Sequence, residues 1–393
     1  ALAEVEYYGI SVDRQKVTQF SKRLQEEIAQ IEEELFEEVG KRFNWRSTKQ
    51  LQDILFGVLK LPVKFRTAKG AASTNEDTLR ELAKVHRVPQ LLLKLRKRYK
   101  VLSTYLAGGR GGIYQFVKED GRVHPDFKVT GTVTGRLSCT DPPLQTIPKT
   151  SVRNIFVAPP GYKLIEADLS QAELRVVAYI SKCKTMLDAL QRGVDLHKLT
   201  ASYLFKKPLE QIDDHERKLA KFFNFGVCYG RGPSSVAEQF DLSLEEATAL
   251  YESFFDTYPE IREYMHRIVE EAKSKRIIRN LFGATRRFGP GKFLSEWERQ
   301  AINFPIQSVV AMHTNQSMAI LVQLFKKERL DAHVVLNVHD ALYVECKEEI
   351  VDDVAQLVKM VMERPVADTD LVIPVEITIG QFWGEEGDII VED

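Results

Sequence analysis

The stretch Lys163–Arg175, KLIEADLSQAELR, decides how this chain is read. Leu164, Ile165 and Ala167 bracket Glu166 and lead to Asp168, so a short and mostly apolar strand ends by presenting a carboxylate. The SQAELR that follows is polar on one side and helix-forming, which turns strand into helix. Open sheets place their chemistry at such junctions. Aspartate is also a preferred helix N-cap, and this stretch alone leaves both readings open.

Downstream, residues 333–346, HVVLNVHDALYVEC, set two apolar runs on either side of His339–Asp340, the pattern of a hairpin with a polar tip. From about 195 to 300 the pattern is helical, with segments His197–Leu204, His215–Val227, Leu244–Thr257 and Pro259–Lys275. A last helix (Glu348–Met362) and strand (Val372–Ile379) complete a sheet domain split by a helical insertion. Asp168 lies before the insertion and Asp340 after it, both at strand ends in apolar surroundings.

Upstream, Asp13–Val39 reads as one long helix with Val17, Phe20, Leu24, Ile28, Ile31 and Leu35 on its apolar face. Ser47 is placed to cap a helix Lys49–Leu59, which Pro62 ends, and Arg66–Thr74 reads as a loop. Thr74 or Asn75 starts a helix that buries Leu79 and Leu82. Val88–Leu106 is a basic helix with Leu91, Leu92, Leu95, Tyr99, Leu102 and Tyr105 as its buried stripe. Gly108–Gly109–Arg110–Gly111–Gly112 marks a hinge and a domain boundary, so residues 14–107 form an all-helical module. KVTGTVTGRLS, residues 128–138, alternates β-branched residues with glycine and predicts strands.

The 393 residues suffice for about two or three domains. No run of eighteen apolar residues proposes a membrane span. ALAEVEYYGISVD at the start lacks the apolar region of a signal peptide, and it reads as if cut from something longer. None of Cys139, Cys183, Cys228 and Cys346 falls in a C-x-x-C spacing, so zinc is not expected and free thiols in a reducing compartment are. Net charge is −1, but from Arg80 to Arg110 cations crowd together against Glu81 alone, while Glu348, Glu349, Asp352, Asp353, Glu385, Glu386, Glu392 and Asp393 make the end acidic. A basic segment on a neutral chain is the footprint of a local polyanion site, or a solvated helix face.

Two carboxylates on neighbouring strand ends repel unless a cation sits between them. Mg²⁺ suits them, because it takes oxygen ligands from one or two carboxylates and fills its octahedron with phosphates and waters. Two such ions can clamp the attacking and leaving oxygens of a phosphoryl transfer. A glycosidase acid/base couple is the other use of such a pair, but it leaves the segment Arg217–Tyr229 unexplained. There Arg217, Lys221, Phe225 and Tyr229 recur every four residues on one drifting stripe. Two cations followed by two aromatics suit a nucleotide, with the cations on its phosphates and the rings against base and sugar. The same segment also reads as an amphipathic helix with a basic end.

Taken together these residues resemble the DNA polymerase I family, the family A DNA polymerases. DLSQAELR (168–175) resembles motif A, RKLAKFFNFGVCYG (217–230) motif B, and VHDA (338–341) motif C. TGTVTGRLSCTDPPLQTIP (130–148) resembles the primer-binding segment at the start of the palm, and STNEDTL (73–79) and KVLSTYL (100–106) resemble thumb elements. The resemblance covers essentially the whole chain. It implies an α+β right-hand polymerase with an antiparallel palm sheet, helical fingers and a helical thumb. The palm would start over 1–13, with the thumb over 14–107, the first part of the palm over 108–200, the fingers over 201–300 and the second part of the palm over 301–393.

The resemblance also implies roles. Asp168 and Asp340, with the carbonyl of Leu169, hold two Mg²⁺ ions, for which Mn²⁺ can substitute. Lys221 is the general acid for pyrophosphate departure. Arg217, Lys221 and His197 (in DLHK) bind the triphosphate; Phe225 stacks on the sugar and Tyr229 closes the base-pair pocket. Glu173 is the steric gate under the sugar 2′ position, and Ser170 and Gln171 complete the nucleotide contacts. Arg136, Gln145, Arg286, Arg299, Asn303, Gln307 and His339 touch the primer–template. Lys97, Lys100, Ser103 and Thr104 make the basic helix a thumb that grips phosphates without reading sequence.

The implied partners are primer–template nucleic acid and dNTP, for a monomer in a bacterial or phage-like cytoplasm, with no membrane. No exonuclease domain precedes Ala1, so the chain is expected not to proofread; reverse transcription is a further activity the resemblance allows. Three departures stand out. Ala341 follows Asp340 where the family carries glutamate; Pro143 and Thr146 replace the asparagines of DPNLQNIP; Leu169 and Ala172 replace Tyr and Ile. A single-subunit RNA polymerase and an inactive primer–template clamp are the competing functions. Glu173 opposes the first, and retention of Asp168, Asp340, Arg217 and Lys221 opposes the second.

Overall fold

The computed structural model describes residues 1–67, 69–106, 112–148, 151–227 and 229–384. The predicted hinge residues Gly108–Gly111, Cys228 and the acidic tail from Glu385 lie outside them. The chain divides into two compact units. One holds Ala1–Glu4, Phe127–Ser138 and Ile165–Ile379; the other holds Val5–Asp126, Cys139–Leu164 and the stretch from Gly380.

In the second unit the long helix α1 spans Arg14–Val39, and the Asp13 side chain caps it by accepting the Lys16 N–H at 2.9 Å. Val17, Phe20, Leu24, Ile28 and Leu35 are buried as the periodicity predicts, while Ile31 is half-exposed. Asn75 caps α2 (Glu76–Ala83), and Leu79 and Leu82 are fully buried. The basic helix α3 (Arg87–Lys100) packs against α1 and widens into a π-helical turn over Val101–Tyr105. The helix expected over Lys49–Leu59 likewise begins at Thr48 behind the Ser47 cap and becomes π-helical over Asp53–Val58. A 3.6-residue period does not distinguish these widened turns from regular helix.

The other unit is built on a four-stranded sheet. Its strands are β1 (Tyr162–Leu169, entering the unit at Ile165), β2 (Ala332–Val338), β3 (Ala341–Lys347) and β4 (Val375–Gly380), in the order β4-β1-β3-β2. The hairpin is where the sequence puts it. β2 and β3 pair antiparallel from Ala332 opposite Cys346 to Val338 opposite Ala341, with a bulge between Val334 and Leu336. Helices α9 (Ser295–Lys327) and α10 (Val351–Met362) pack against the hairpin.

Between β1 and β2 the insertion is helical. It includes α4 (Ala172–Ser181), α5 (Leu196–Phe205), α6 (Asp214–Phe222), α7 (Leu244–Thr257) and α8 (Pro259–Lys275). α6 opens on a capping box in which Asp213 accepts the Glu216 N–H and Glu216 accepts the Asp213 N–H. It then widens into a π-helical segment over Phe223–Val227.

The strands predicted within 128–138 are not formed over most of it. Strand ends at Lys128 and resumes at Ser138, with turns between them. Gly135 there adopts a left-handed φ of 77°, and a side chain at Gly131 would collide with the Ser138 hydroxyl. The glycines serve a tight turn rather than a ladder.

Candidate active site

β1 carries Glu166 and Asp168 on one face, because side chains two apart along a strand share a face. On the adjacent β3, the Tyr343 hydroxyl donates to the Glu166 carboxylate at 2.9 Å. The end of β1 is fastened to the hairpin tip as well, since the Leu169 N–H donates to the Asp340 carbonyl at 3.3 Å. His339, exposed at that tip, has a left-handed φ of 59°, which turns the chain from β2 into β3. Asp168 and Asp340 therefore stand at the ends of neighbouring strands, both half-buried. Ala341 contributes only a buried methyl group where the resemblance expects an acid.

These donors are oxygens only, the set a hard divalent cation takes. No group of three or more histidine, cysteine or acidic side chains that could hold a metal occurs among the described residues. The two aspartates with the Leu169 carbonyl fit Mg²⁺ as a partial shell, with phosphates and waters supplying the rest.

The turn from β1 into α4 is pinned on several sides. The Ser170 N–H donates to the Pro374 carbonyl at 2.8 Å, its hydroxyl donates to Glu376 at 2.7 Å, and Arg175 donates to the Ser170 carbonyl at 3.0 Å. The hydroxyl of Ser170, a residue predicted to touch nucleotide, is thus engaged within the protein. One helical turn on, Glu173 receives a hydrogen bond from the Arg136 guanidinium. Burial pushes the Glu173 carboxyl above the usual range, Arg136 opposes that, and the nearby charge of Asp340 adds to the rise.

The insertion builds a second cluster. Asp195 caps α5, accepting the N–H groups of His197 and Lys198, and its other oxygen accepts from the Arg217 guanidinium at 2.8 Å. Burial alone would raise the Asp195 carboxyl; the hydrogen bond from Arg217, those backbone N–H groups and the guanidinium charge outweigh it and hold it low. Burial pushes the His197 imidazole down to about 4; Asp195 opposes the shift, while Arg217 and Lys221 favour it. The His197 and Phe225 rings lie 5.7 Å apart. The structure therefore gathers His197, Arg217, Lys221 and Phe225, with Arg217 half-exposed and Lys221 exposed. Because Phe225 lies in the widened turn, the stripe does not follow a simple 3.6-residue period on to Tyr229.

Several predicted contact residues of this unit hold buried polar atoms without a hydrogen-bond partner among the described residues. They are the Gln171 and Asn303 side-chain carbonyls, the Tyr229 hydroxyl and the Arg286 Nε. Arg286 still donates through its guanidinium to Gln300 at 2.7 Å. Buried polar atoms are nearly always satisfied, by protein, water or a ligand. Asn303 and Gln307 sit one turn apart on α9, half-buried, and Arg299 is exposed.

Lys97, Lys100, Ser103, Thr104 and Gln145 belong to the other unit. The basic segment there is less free than its composition suggests. Arg98 is buried against Glu27 at 2.9 Å, Arg87 pairs with Glu34, Arg80 with Glu76 and Lys84 with Glu81. Arg96 donates to the Thr74 carbonyl at 2.6 Å, and burial lowers its pKa. Lys97 and Lys100 remain exposed. Sequence reasoning overlooked Glu166, Asp195 and Asn224; Asp195 announces itself only as an N-cap before Leu196.

The family model described as DNA polymerase family A matches residues 14–385. The chain is 35% identical to DNA polymerase I of Pseudomonas aeruginosa, over 98% of this chain and 43% of that protein. It is 36% identical to the thermostable DNA polymerase I of Thermus aquaticus, over 97% of this chain and 46% of that one. The chain thus spans less than half the length of these relatives. Among solved structures it resembles the POL domain of Pol1 from M. smegmatis in complex with DNA primer-template and dNTP. That match has a TM-score of 0.88 and 31% identity, and covers 97% of this chain and 68% of the other.

Proposed function

The chain belongs to DNA polymerase family A, and from that membership we propose that it adds deoxynucleotides to a primer 3′ end under the direction of a template. The observation that carries this reading is the gathering of His197, Arg217, Lys221 and Phe225 in one cluster of the insertion, with Asp168 and Asp340 at the ends of neighbouring strands. The cluster holds residues the motifs assign to the nucleotide, and the aspartates are those they assign to metal.

In this reading residues 14–107 are the thumb, 201–300 the fingers, and the remainder the palm. Arg217, Lys221 and the neutral imidazole of His197 bind the triphosphate, and Phe225 lies against the sugar. Glu173, held by Arg136, excludes a 2′-hydroxyl by bulk and by denying it a hydrogen-bond partner. Asp168, Asp340 and the Leu169 carbonyl would hold two Mg²⁺ ions. When bound there, such ions would supply Lewis-acid polarisation of the phosphoryl group. Lys221, exposed at the end of α6, delivers a proton to the departing pyrophosphate. The bacterial origin of the relatives supports a cytoplasmic setting, and no helix among the described residues is long and apolar enough to cross a membrane. The reading assigns no proofreading site to this chain and takes it to act as a monomer.

Primer extension tests the proposal, with DNA and RNA templates and with dNTPs and rNTPs compared. Extension with dNTPs on DNA is expected. A preference for rNTPs would favour an RNA polymerase instead, and binding without extension would favour an inactive clamp. Extension on RNA would add reverse transcription.

A further inference from the structure

His197 can present either a proton or a lone pair to an incoming phosphate, and a neutral imidazole carries its single proton on one nitrogen or the other. The side-chain amide of Asn224, fully buried in the widened turn after α6, lies with its nitrogen 2.9 Å from His197 Nδ1. The same nitrogen lies 3.4 Å from the Leu196 carbonyl, which can only accept. The NH₂ edge of the amide therefore faces Leu196 and His197, and the imidazole Nδ1 is the acceptor.

The opposite edge agrees. Asn224 Oδ1 lies 2.9 Å from the Thr200 hydroxyl, which lies 2.9 Å from the Tyr258 hydroxyl. Thr200 and Tyr258 are as buried as Asn224. Thr200 has one proton, within reach of the amide oxygen and, at 2.8 Å, of the Leu196 carbonyl; with the amide N–H on Leu196, that proton goes to the amide oxygen while Tyr258 donates to Thr200. Reversing the amide would set oxygen against oxygen at Leu196.

We propose that Asn224 is a positioning residue that holds His197 as the Nε2–H tautomer, so that the imidazole offers a hydrogen-bond donor to a nucleotide triphosphate beside Arg217 and Lys221. The inference rests on the nucleotide-site reading of this face. It adds a division of labour. Arg217 and Lys221 supply charge, whereas His197 supplies a directed neutral donor whose direction is set from the protein interior. Thr200 and Tyr258 keep the amide from turning. The charged and titratable groups that act on the imidazole are Asp195, Arg217 and Lys221. The two cations and burial keep the ring neutral against Asp195.

The test begins on the unaltered protein with ¹⁵N-labelled histidine, the His197 signals being assigned by their loss in His197→Gln. At pH 7 a pyridine-type Nδ1 and a pyrrole-type Nε2 are expected; the reverse pattern, or an imidazolium, overturns the proposal without any variant having to fold. In Asn224→Asp the introduced carboxylate can only accept, so Nδ1 should gain a proton and the titration midpoint should rise from about 4 into the range of ordinary histidine. An unmoved midpoint overturns the proposal.

Asn224→Ala should raise the KM for dNTP about tenfold, with kcat little changed, and add no more than about twofold in a His197→Gln background. A tenfold rise in both backgrounds would show that Asn224 acts by packing. A His197→Gln protein with unchanged KM would remove the phosphate from the argument and refute the nucleotide-site reading as well, whatever the spectrum shows.

Discussion

The Arg136 guanidinium is hydrogen-bonded to the Glu173 carboxylate, which joins a residue read as a primer contact to one read as the sugar gate. Glu173→Ala should raise the rNTP/dNTP incorporation ratio by removing the bulk under the 2′ position. Arg136→Ala should raise it less, while weakening primer binding, because Glu173 then keeps its bulk but loses the group that fixes it. Single-nucleotide incorporation with matched rNTP and dNTP measures both. An unchanged ratio in Glu173→Ala would remove Glu173 from the sugar site.

Phe225, against the His197 ring, has no hydroxyl to replace the missing 3′-hydroxyl of a dideoxynucleotide. Phe225→Tyr should therefore lower discrimination against ddNTPs, read as the ddNTP/dNTP ratio in chain-termination assays. Equal ratios in the two proteins would place the sugar elsewhere.

Asp168→Ala and Asp340→Ala should each abolish extension while primer–template binding, measured by fluorescence anisotropy, persists. Ala341→Glu puts an acid beside Asp340 in a buried position and should change the rate or the Mg²⁺/Mn²⁺ preference. No change would make that position a bystander.

Lys97 and Lys100, exposed cations in the last turn of α3, should carry the thumb's grip on phosphates. Changing both to glutamine should flatten the salt dependence of primer–template affinity by about 0.9 in log–log slope per lost contact. Arg98→Gln should leave that slope alone and lower the unfolding temperature instead, since Glu27 loses its buried partner and keeps only the exposed Arg23.

His197 and His313 are both buried, and burial is the largest cause that pushes each down to about 4, below the ordinary 6.5. The unfolded chain takes up their protons near pH 6.5 and the folded chain only near pH 4. Their contribution to stability is thus complete above about pH 6.5 and fades between pH 6.5 and 4, by at most about 3 kcal/mol for each group. Urea midpoints at pH 7 and pH 5 should differ accordingly, and His313→Gln should shrink the difference.

The features legible in the sequence were those written in local periodicity and caps. The apolar face of α1, the caps at Ser47 and Asn75, and the hairpin around His339–Asp340 all announce themselves within a few residues. The helix α9 does not. Over Ser295–Lys327 its buried residues lie on all sides and Pro305 sits within it, so neither an amphipathic period nor a proline-free run marks it. The basic segment misleads for another reason. Its carboxylate partners Glu27 and Glu34 lie on α1, far away in the chain, and charge counting sees only neighbours. The link between Asn224 and His197 is tertiary in the same way.

The hydrogen bond from Tyr343 to Glu166 joins residues 177 positions apart, and the sheet order sets β1 directly beside β3. Closing a loop of that length costs chain entropy before any pairing repays it. The helices between can form from contacts near in sequence, so they should acquire structure first and the sheet last. A chain emerging from the ribosome would carry Asp168 long before the hairpin that opposes it exists. Competence for catalysis should therefore appear in refolding only with the slowest phase, after most of the helical signal has returned.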